Sequence, residues 1–294
     1  MAIHVIKMKI LLFGKNGQLG QEIMAASSKF KYNLIAYGHD EVEIVNYSQV
    51  IDCIQKNKPD IIINATAYHV VNDCELYPEK AFAVNAIALK NLAELCNKNK
   101  IKLVHYSSDY VFDGTKGGPY QEDDTPNPLQ IYGVSKLAGE KICLNYHDDS
   151  LIIRTCGVYG GKTGSRAKKG NFVLSILKQT EGKKELEVSN EQIVSPTYAH
   201  DLAEGTFKLI SKKPSHSIYH LVNEGHCSWA EFASEIMKLA KRKCRIISIN
   251  RSGQYQGTKK PLFSALSNKK AKSLGVILPT WKEALKNYLF FRKR

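Results

Sequence analysis

The 294-residue chain has no stretch of about 18 consecutive apolar residues, so nothing in it reads as a membrane-spanning helix. It has no C-x-x-C pair either. Its seven cysteines (Cys53, Cys74, Cys96, Cys143, Cys156, Cys227 and Cys244) are scattered and odd in number. That pattern argues against a disulfide framework and for reduced thiols in a cytoplasmic protein. The nine histidines add no metal-ligand spacing, so no metal is expected. Internal repeats and low-complexity tracts are missing. The opening "MAIHVIKMKILLFG" lacks a small-residue cleavage site and carries lysines inside its apolar stretch. It reads as a first strand with a short extension, not as a signal peptide.

Acidic residues are scarce: 28 Asp and Glu stand against 42 Lys and Arg, a formal net charge of +14. Such a balance raises nucleic acid as a partner. The Lys-Lys pairs at 168–169, 183–184, 212–213, 259–260 and 269–270 are dispersed, however, and share no aromatic platform. No nucleic-acid partner is therefore expected. A solvated basic surface, or attraction for a small polyanion such as a nucleotide diphosphate, fits better.

What the chain does have is rhythm. "KILLFG" (9–14), "NLIAYG" (33–38), "DIIINATA" (60–67), "KLVHYSS" (102–108) and "LIIRTCG" (151–157) are apolar runs suited to strands covered on both faces. Helical segments lie between them at 18–29, 47–57 and 79–99, and another begins near Ile131. In the third, Ala81, Val84, Ala88, Leu92 and Leu95 recur at steps of three and four, giving one apolar stripe. This βαβ series predicts an α/β fold with a doubly wound parallel sheet, Rossmann-like, and right-handed crossovers. After residue 157 the rhythm breaks into the glycine- and lysine-rich loop "GGKTGSRAKKGN" and shorter elements. Helices are expected near 171–180, 199–210 and 228–242, strands near 186–190 and 217–222, and an amphipathic helix at the tail. The expected division is a dinucleotide-binding domain of residues 1–156 plus about 193–222, and a smaller α/β substrate-capping lobe of about 157–192 plus 223–294.

"FGKNGQLGQ" places Gly14, Gly17 and Gly20 between the first strand and the first helix. Glycines there permit a tight turn, close backbone approach to a pyrophosphate and close helix–strand packing, while the helix N-terminus favours negative charge. The tip of the second strand shows Gly38 and His39, with Asp40 and Glu41 slightly later. An acid for the ribose diol is thus missing from the tip itself. His39 or Lys15 is then placed to hold a 2′-phosphate, which leans the cofactor toward NADP over NAD.

The fourth strand delivers Ser107, Ser108 and Asp109 to the same sheet edge, and 24 residues past Ser108 comes Tyr132, followed at i+4 by Lys136. Carbonyl reduction needs a hydride from one side and a proton for the forming alkoxide. A phenol with pKa about 10 is sluggish near neutrality; bringing it down takes about 4 kcal/mol, which a nearby ammonium can supply. Tyr132 is therefore the candidate proton donor. Lys136 is its activator and a grip for the nicotinamide ribose, and Ser108 is the hydroxyl that positions the carbonyl. A hydrolase triad of Ser108, His105 and Asp109 is disfavoured, because no G-x-S-x-G elbow surrounds Ser108. Trp229 and Trp281, both on amphipathic helices, read as core.

These residues resemble the extended short-chain dehydrogenase/reductases and, within them, the dTDP-4-dehydrorhamnose reductases. The resemblance runs from Lys9 to about Leu289 through "GKNGQLG", "NATAYHVVNDCE", "HYSSDYVFDG", "PYQEDDTPNPLQIYGVSKLAGE", "RTCGVYG", "VSPTYAHDLAE" and "SIYHLVN". It implies the catalytic triad Ser108, Tyr132 and Lys136. It implies cofactor contacts from Gly17, Gln18 and Leu19, from Ala65, Ala67 and Tyr68, and from Tyr106, with Asn85 ordering the site. Asp109 would lie near the sugar of a nucleotide-linked substrate. A homodimer is left open: of the glutamates that hold an intersubunit magnesium in some relatives, only Glu22 has a counterpart. The chain departs from the pattern where Gly157 replaces a tryptophan of the sugar pocket. It departs again in "KPLFSAL", where Lys260 and Phe263 replace an arginine and an asparagine that meet the nucleotide. The implied activity is NAD(P)H-dependent reduction of the 4-keto group of a nucleotide-linked deoxysugar. The competing expectations are a cofactor-binding regulatory subunit resembling the β subunit of methionine adenosyltransferase, and another nucleotide-sugar epimerase, dehydratase or reductase.

Overall fold

The computed structural model describes residues 8–30, 32–161, 164–165, 167, 169–250 and 257–291; the N-terminal extension and Lys168 lie outside them. The first half runs β1 (Lys9–Phe13), α1 (Gln18–Ser27), β2 (Asn33–Tyr37), α2 (Tyr47–Asn57) and β3 (Ile61–Asn64). Helices α3 (Val71–Leu76), α4 (Pro78–Phe82) and α5 (Ala88–Asn99) precede β4 (Lys102–Ser108), and α6 (Ile131–Tyr146) leads to β5 (Ser150–Thr155). Then come β6 (Val158–Tyr159), α7 (Phe172–Gln179), β7 (Glu185–Ser189), β8 (Ile193–Val194), β9 (Thr197–Tyr198) and α8 (Ala199–Ser211). The last elements are β10 (Ser217–His220), β11 (Cys227–Ser228), α9 (Trp229–Ala240), β12 (Arg245–Ile249), α10 (Lys269–Ser273) and α11 (Trp281–Phe291).

Six strands form one sheet in the order β10-β5-β4-β3-β1-β2, every neighbouring pair parallel. The apolar runs explain it: β3 is buried along its whole length, as a strand covered on both faces must be. One face carries Ile10, Leu12 and Ile23 with Leu202 and Phe207 of α8. The other packs Leu11, Phe13, Val50, Leu89, Leu92 and Cys143. β2 lies on one side of β1 and β3 on the other, so the strand order reverses there, and a crevice opens beyond the carboxyl ends. The glycine loop after β1, Ala65 after β3 and Ser108 at the end of β4 all reach that edge.

A second core gathers Val173, Phe232, Ile236, Trp281 and Leu285 from α7, α9 and α11, beside the parallel pair β7–β12. The strand β12 was not expected: "RIISI" is short and follows the basic run "KRKC". Among the described residues no helix is long and apolar enough to cross a membrane.

The helix expected over 79–99 is not continuous. A π-helical turn, Ala83–Ile87, separates α4 from α5. Such turns interrupt helices mostly at functional sites, and here the interruption presents buried Asn85. Its Oδ1 accepts from Tyr68 N–H at 2.9 Å, and its Nδ2 donates to Tyr68 O at 2.9 Å and to Ser135 Oγ at 3.0 Å. One side chain thereby ties the loop after β3 to α6, the helix that carries Tyr132. Gly139 allows the approach: a Cβ there would stand 2.3 Å from the Asn85 carbonyl oxygen.

Candidate active site

The glycine loop is shaped by contact. Gly14 has φ +95°, and a Cβ on it would meet Ala65 backbone at 2.9 Å; a Cβ on Gly20 would lie 2.2 Å from Gly14 O. α1 begins at Gly17 with no side-chain cap and no acid in its first turn. Its first N–H groups therefore suit an anion, and the cradle fits the pyrophosphate of a dinucleotide. Gln18 spends its side-chain amide on Val158 O at 3.0 Å, and Leu19 packs against the core. Their main chain is what they offer a cofactor.

The tip of β2 corrects the reading of Lys15 and His39. Glu41 folds back, accepting from Gly38 N–H at 2.8 Å and pairing with Lys15 at 2.5 Å. His39 pairs with Glu43 at 2.6 Å. An acid does stand at the tip, supplied from three residues downstream, and a 2′-phosphate has to compete with it for Lys15.

Ser108 ends β4, and Tyr132 sits in the first turn of α6. Gly133 brings them together: a Cβ there would lie 2.1 Å from Tyr110 O, so only glycine lets this turn close on the strand end. The Tyr132 ring meets Tyr110 edge-on at 5.8 Å. Burial pushes the Tyr132 phenol above its ordinary value, while the Ser108 hydroxyl beside it pulls the other way. The expected depression by Lys136 is not what the geometry gives. The Lys136 ammonium is buried and contacts His105 Nε2 at 2.9 Å. An ammonium can only donate, so Nε2 accepts and the ring proton sits on Nδ1. Burial, then the Lys136 charge, hold His105 well below its usual pKa. Burial lowers Lys136 to about 8, opposed by the carboxylate of Glu140 one turn along the helix.

That value sets a pH dependence. Lys136 carries its charge below about pH 8 and loses it above. The kcat/KM profile, which reports free-enzyme groups, is expected to fall as pH rises through about 8; a profile flat to pH 10 contradicts this.

The side chains of two expected contact residues have partners within the protein. Tyr106 is buried in the core under α8, its hydroxyl bonded to Thr206 Oγ1 at 2.8 Å, so its side chain turns away from the cofactor edge. Asp109 borders the cleft, but its carboxylate is taken by protein donors: Ser108 Oγ at 3.0 Å on Oδ1, and Ser264 Oγ at 2.6 Å and Cys156 Sγ at 3.1 Å on Oδ2. Burial raises its pKa against the pull of those donors. Ala65, Ala67 and Tyr68 lie on the loop after β3, as expected, with Tyr68 pinned by Asn85.

A cleft of about 780 Å³ joins these groups. Gln18, Ser108, Tyr132 and Gly157 line it together with Phe172, Val188, Val194 and Trp229; Lys169, Lys178 and Lys260 also face it. Trp229 is thus a wall residue as well as a core one. Its ring stands 4.4 Å from Phe172 and within 3.5 Å of where a Gly157 Cβ would be. Sequence reasoning gave Phe172, Lys178 and Ser264 no role and weighed His105 only in a disfavoured hydrolase triad, since nothing in their local spacing ties them to this cleft.

The RmlD substrate binding domain family matches residues 8–291. A Bacillus subtilis spore coat polysaccharide biosynthesis protein, SpsK, is 39% identical over 96% of both chains. The dTDP-4-dehydrorhamnose reductase of Escherichia coli K12 is 33% identical over 96% of this chain and 97% of its own. The crystal structure of dTDP-4-dehydrorhamnose reductase from Bacillus anthracis in complex with NADP superposes with a TM-score of 0.91 at 32% identity, covering 97% of this chain and all of that one.

Proposed function

The chain belongs to the RmlD substrate binding domain family, and from that membership we propose that it is an NAD(P)-dependent oxidoreductase reducing the 4-keto group of a nucleotide-linked deoxysugar, dTDP-4-dehydro-L-rhamnose first among them. One observation carries the reading: the Tyr132 phenol lies against the Ser108 hydroxyl in a cleft that also receives the helix behind the glycine loop.

Gly14, Gly17 and Gly20 would hold the cofactor pyrophosphate, with the loop at Ala65–Tyr68 beside it. The reduced nicotinamide, when bound, supplies the hydride. Tyr132 donates the proton that the alkoxide needs. Lys136, one turn along α6 from Tyr132 and held by His105 Nε2, would meet the ribose of the cofactor. NADP is supported by the Bacillus anthracis complex; in this chain Lys15 and His39 would have to leave Glu41 and Glu43 to meet its 2′-phosphate. Lys169, Lys178 and Lys260 suit the diphosphate of the substrate, and Phe172 and Trp229 suit an apolar sugar or base face. The seven cysteines are buried thiols, which supports a reducing, cytoplasmic setting.

Purified protein given dTDP-4-dehydro-L-rhamnose should oxidise NADPH or NADH, followed at 340 nm, and form a dTDP-6-deoxyhexose. Absence of turnover with this and a panel of other 4-keto nucleotide sugars would overturn the assignment.

A further inference from the structure

We propose that His105 is a positioning residue for Lys136: its imidazole takes one of the three ammonium protons and leaves the other two for the ribose that carries the nicotinamide. The proposal rests on the cofactor site of the reductase reading and adds to it the group that holds the lysine.

Counting donors leads there. His105 and Lys136 are each 1% exposed, yet they come from different elements, β4 and α6. An ammonium has three donors and no acceptor. Among the described residues its one hydrogen-bond partner is His105 Nε2, at 2.9 Å. The carboxylate one turn along α6 takes no second proton, because Glu140 spends both oxygens on Arg154, at 2.8 and 2.7 Å. Cys143, the other titratable neighbour on α6, is a thiol that burial keeps protonated, and so is Cys96 beside it on α5. Two donors of a buried charged group therefore have no acceptor in the protein, which costs free energy until a ligand supplies one. The adjacent hydroxyls of a ribose offer two acceptors, and Tyr132, one turn before Lys136, lines the cleft through which they would come.

The choice of an imidazole matters. A carboxylate at 105 would hold the ammonium and cancel its charge. Burial and the neighbouring ammonium keep His105 neutral, so it holds without cancelling. Glu140 and Arg154 neutralise each other. The group of four side chains thus keeps one net positive charge. The tether also fixes direction, since a lysine ends in a compact charge on a flexible four-carbon stem. With no acceptor at 105, nothing on β4 would hold it.

The test compares His105→Phe, which removes the acceptor, with His105→Gln, whose amide oxygen can reach the place of Nε2. Calorimetric titration of the full chain gives Kd for NADPH and for 2′,5′-ADP, which lacks the nicotinamide ribose. His105→Phe should weaken NADPH about tenfold, as the loss of a bond to a charged group does, and leave 2′,5′-ADP within about twofold. In wild type the NADPH Kd should begin to rise near pH 8, where Lys136 gives up its proton. A hydrogen bond to the charged form favours that form, so in His105→Phe the rise should begin about one pH unit lower. His105→Gln should restore both. An unmoved Kd and pH limb in His105→Phe, an equal loss for 2′,5′-ADP, or a His105→Gln protein no better than His105→Phe overturns the proposal. The wild-type protein gives a reading that needs no variant: nitrogen-15 shifts should show His105 as the neutral Nδ1–H tautomer at about pH 6, and a charged ring there refutes it. None of these measurements needs a sugar substrate. A protein that passes them yet reduces no 4-keto nucleotide sugar fails the reductase reading alone.

Discussion

Tyr132→Phe is expected to reduce kcat by about 10²–10⁴-fold, the range that positioned general acids contribute, while NADPH binding changes little. The substitution removes one oxygen. The ring keeps its edge-on contact with Tyr110, and Gly133 still seats the turn against Tyr110 O. The glycine cradle at Gly14 and Gly20 depends on β1 and the loop at Ala65, not on Tyr132. A fluorescence titration with NADPH should therefore match wild type while absorbance at 340 nm stays flat in the presence of substrate. Turnover within a few-fold of wild type would show that another group supplies the proton. Tyr106 is bonded to Thr206; Tyr110, which meets the Tyr132 ring edge-on and also lines the cleft, is the phenol to replace next in that event.

The frame of the molecule was readable because buried parallel strands leave little choice of residue. "IIIN" and "KLVHYSS" became β3 and β4 at the expected positions, and α2 occupies the expected 47–57, capped by Asn46. Ser108, Tyr132 and Lys136 stood out as candidates because Ser108 ends a strand and Tyr132 and Lys136 share a helical face. What escaped were directions set by neighbours distant in sequence. Alternation along β4 does not reveal that Tyr106 finds Thr206 a hundred residues on, or that His105 meets Lys136. Glu41 looked too late to serve the tip of β2, yet the turn at Gly38 brings it back. The stripe in 79–99 suggested one helix; the π turn breaks it because Asn85 has three bonds to make that a regular helix would not allow it to reach.

Glu140→Ala is expected to be the most destabilising of the substitutions considered, by about 3–5 kcal/mol. Glu140 and Arg154 form a bidentate pair, Nε to Oε1 at 2.8 Å and Nη2 to Oε2 at 2.7 Å, with the two residues 0% and 1% exposed. The guanidinium also lies 5.0 Å over the Phe112 ring. Removing the carboxylate leaves a guanidinium that keeps its charge in a place water does not reach, since arginine does not lose its proton as a lysine would. In a chain of this size that loss corresponds to a Tm lower by roughly 10 °C, measurable by calorimetry. Glu140→Ala combined with Arg154→Met should recover part of the deficit, because the unpaired charge goes with the arginine; a double variant as unstable as the sum of the two singles would refute the pairing as the cause. The same carboxylate opposes the lowering of the Lys136 pKa. Without it the ammonium loses its proton at a pH below about 8, and the alkaline limb of kcat/KM should move to lower pH in whatever Glu140→Ala protein remains folded. One side chain then ties the pairing of α6 with β5 to the charge of Lys136, one turn along α6 from Tyr132, and the two measurements must move together if the link is real.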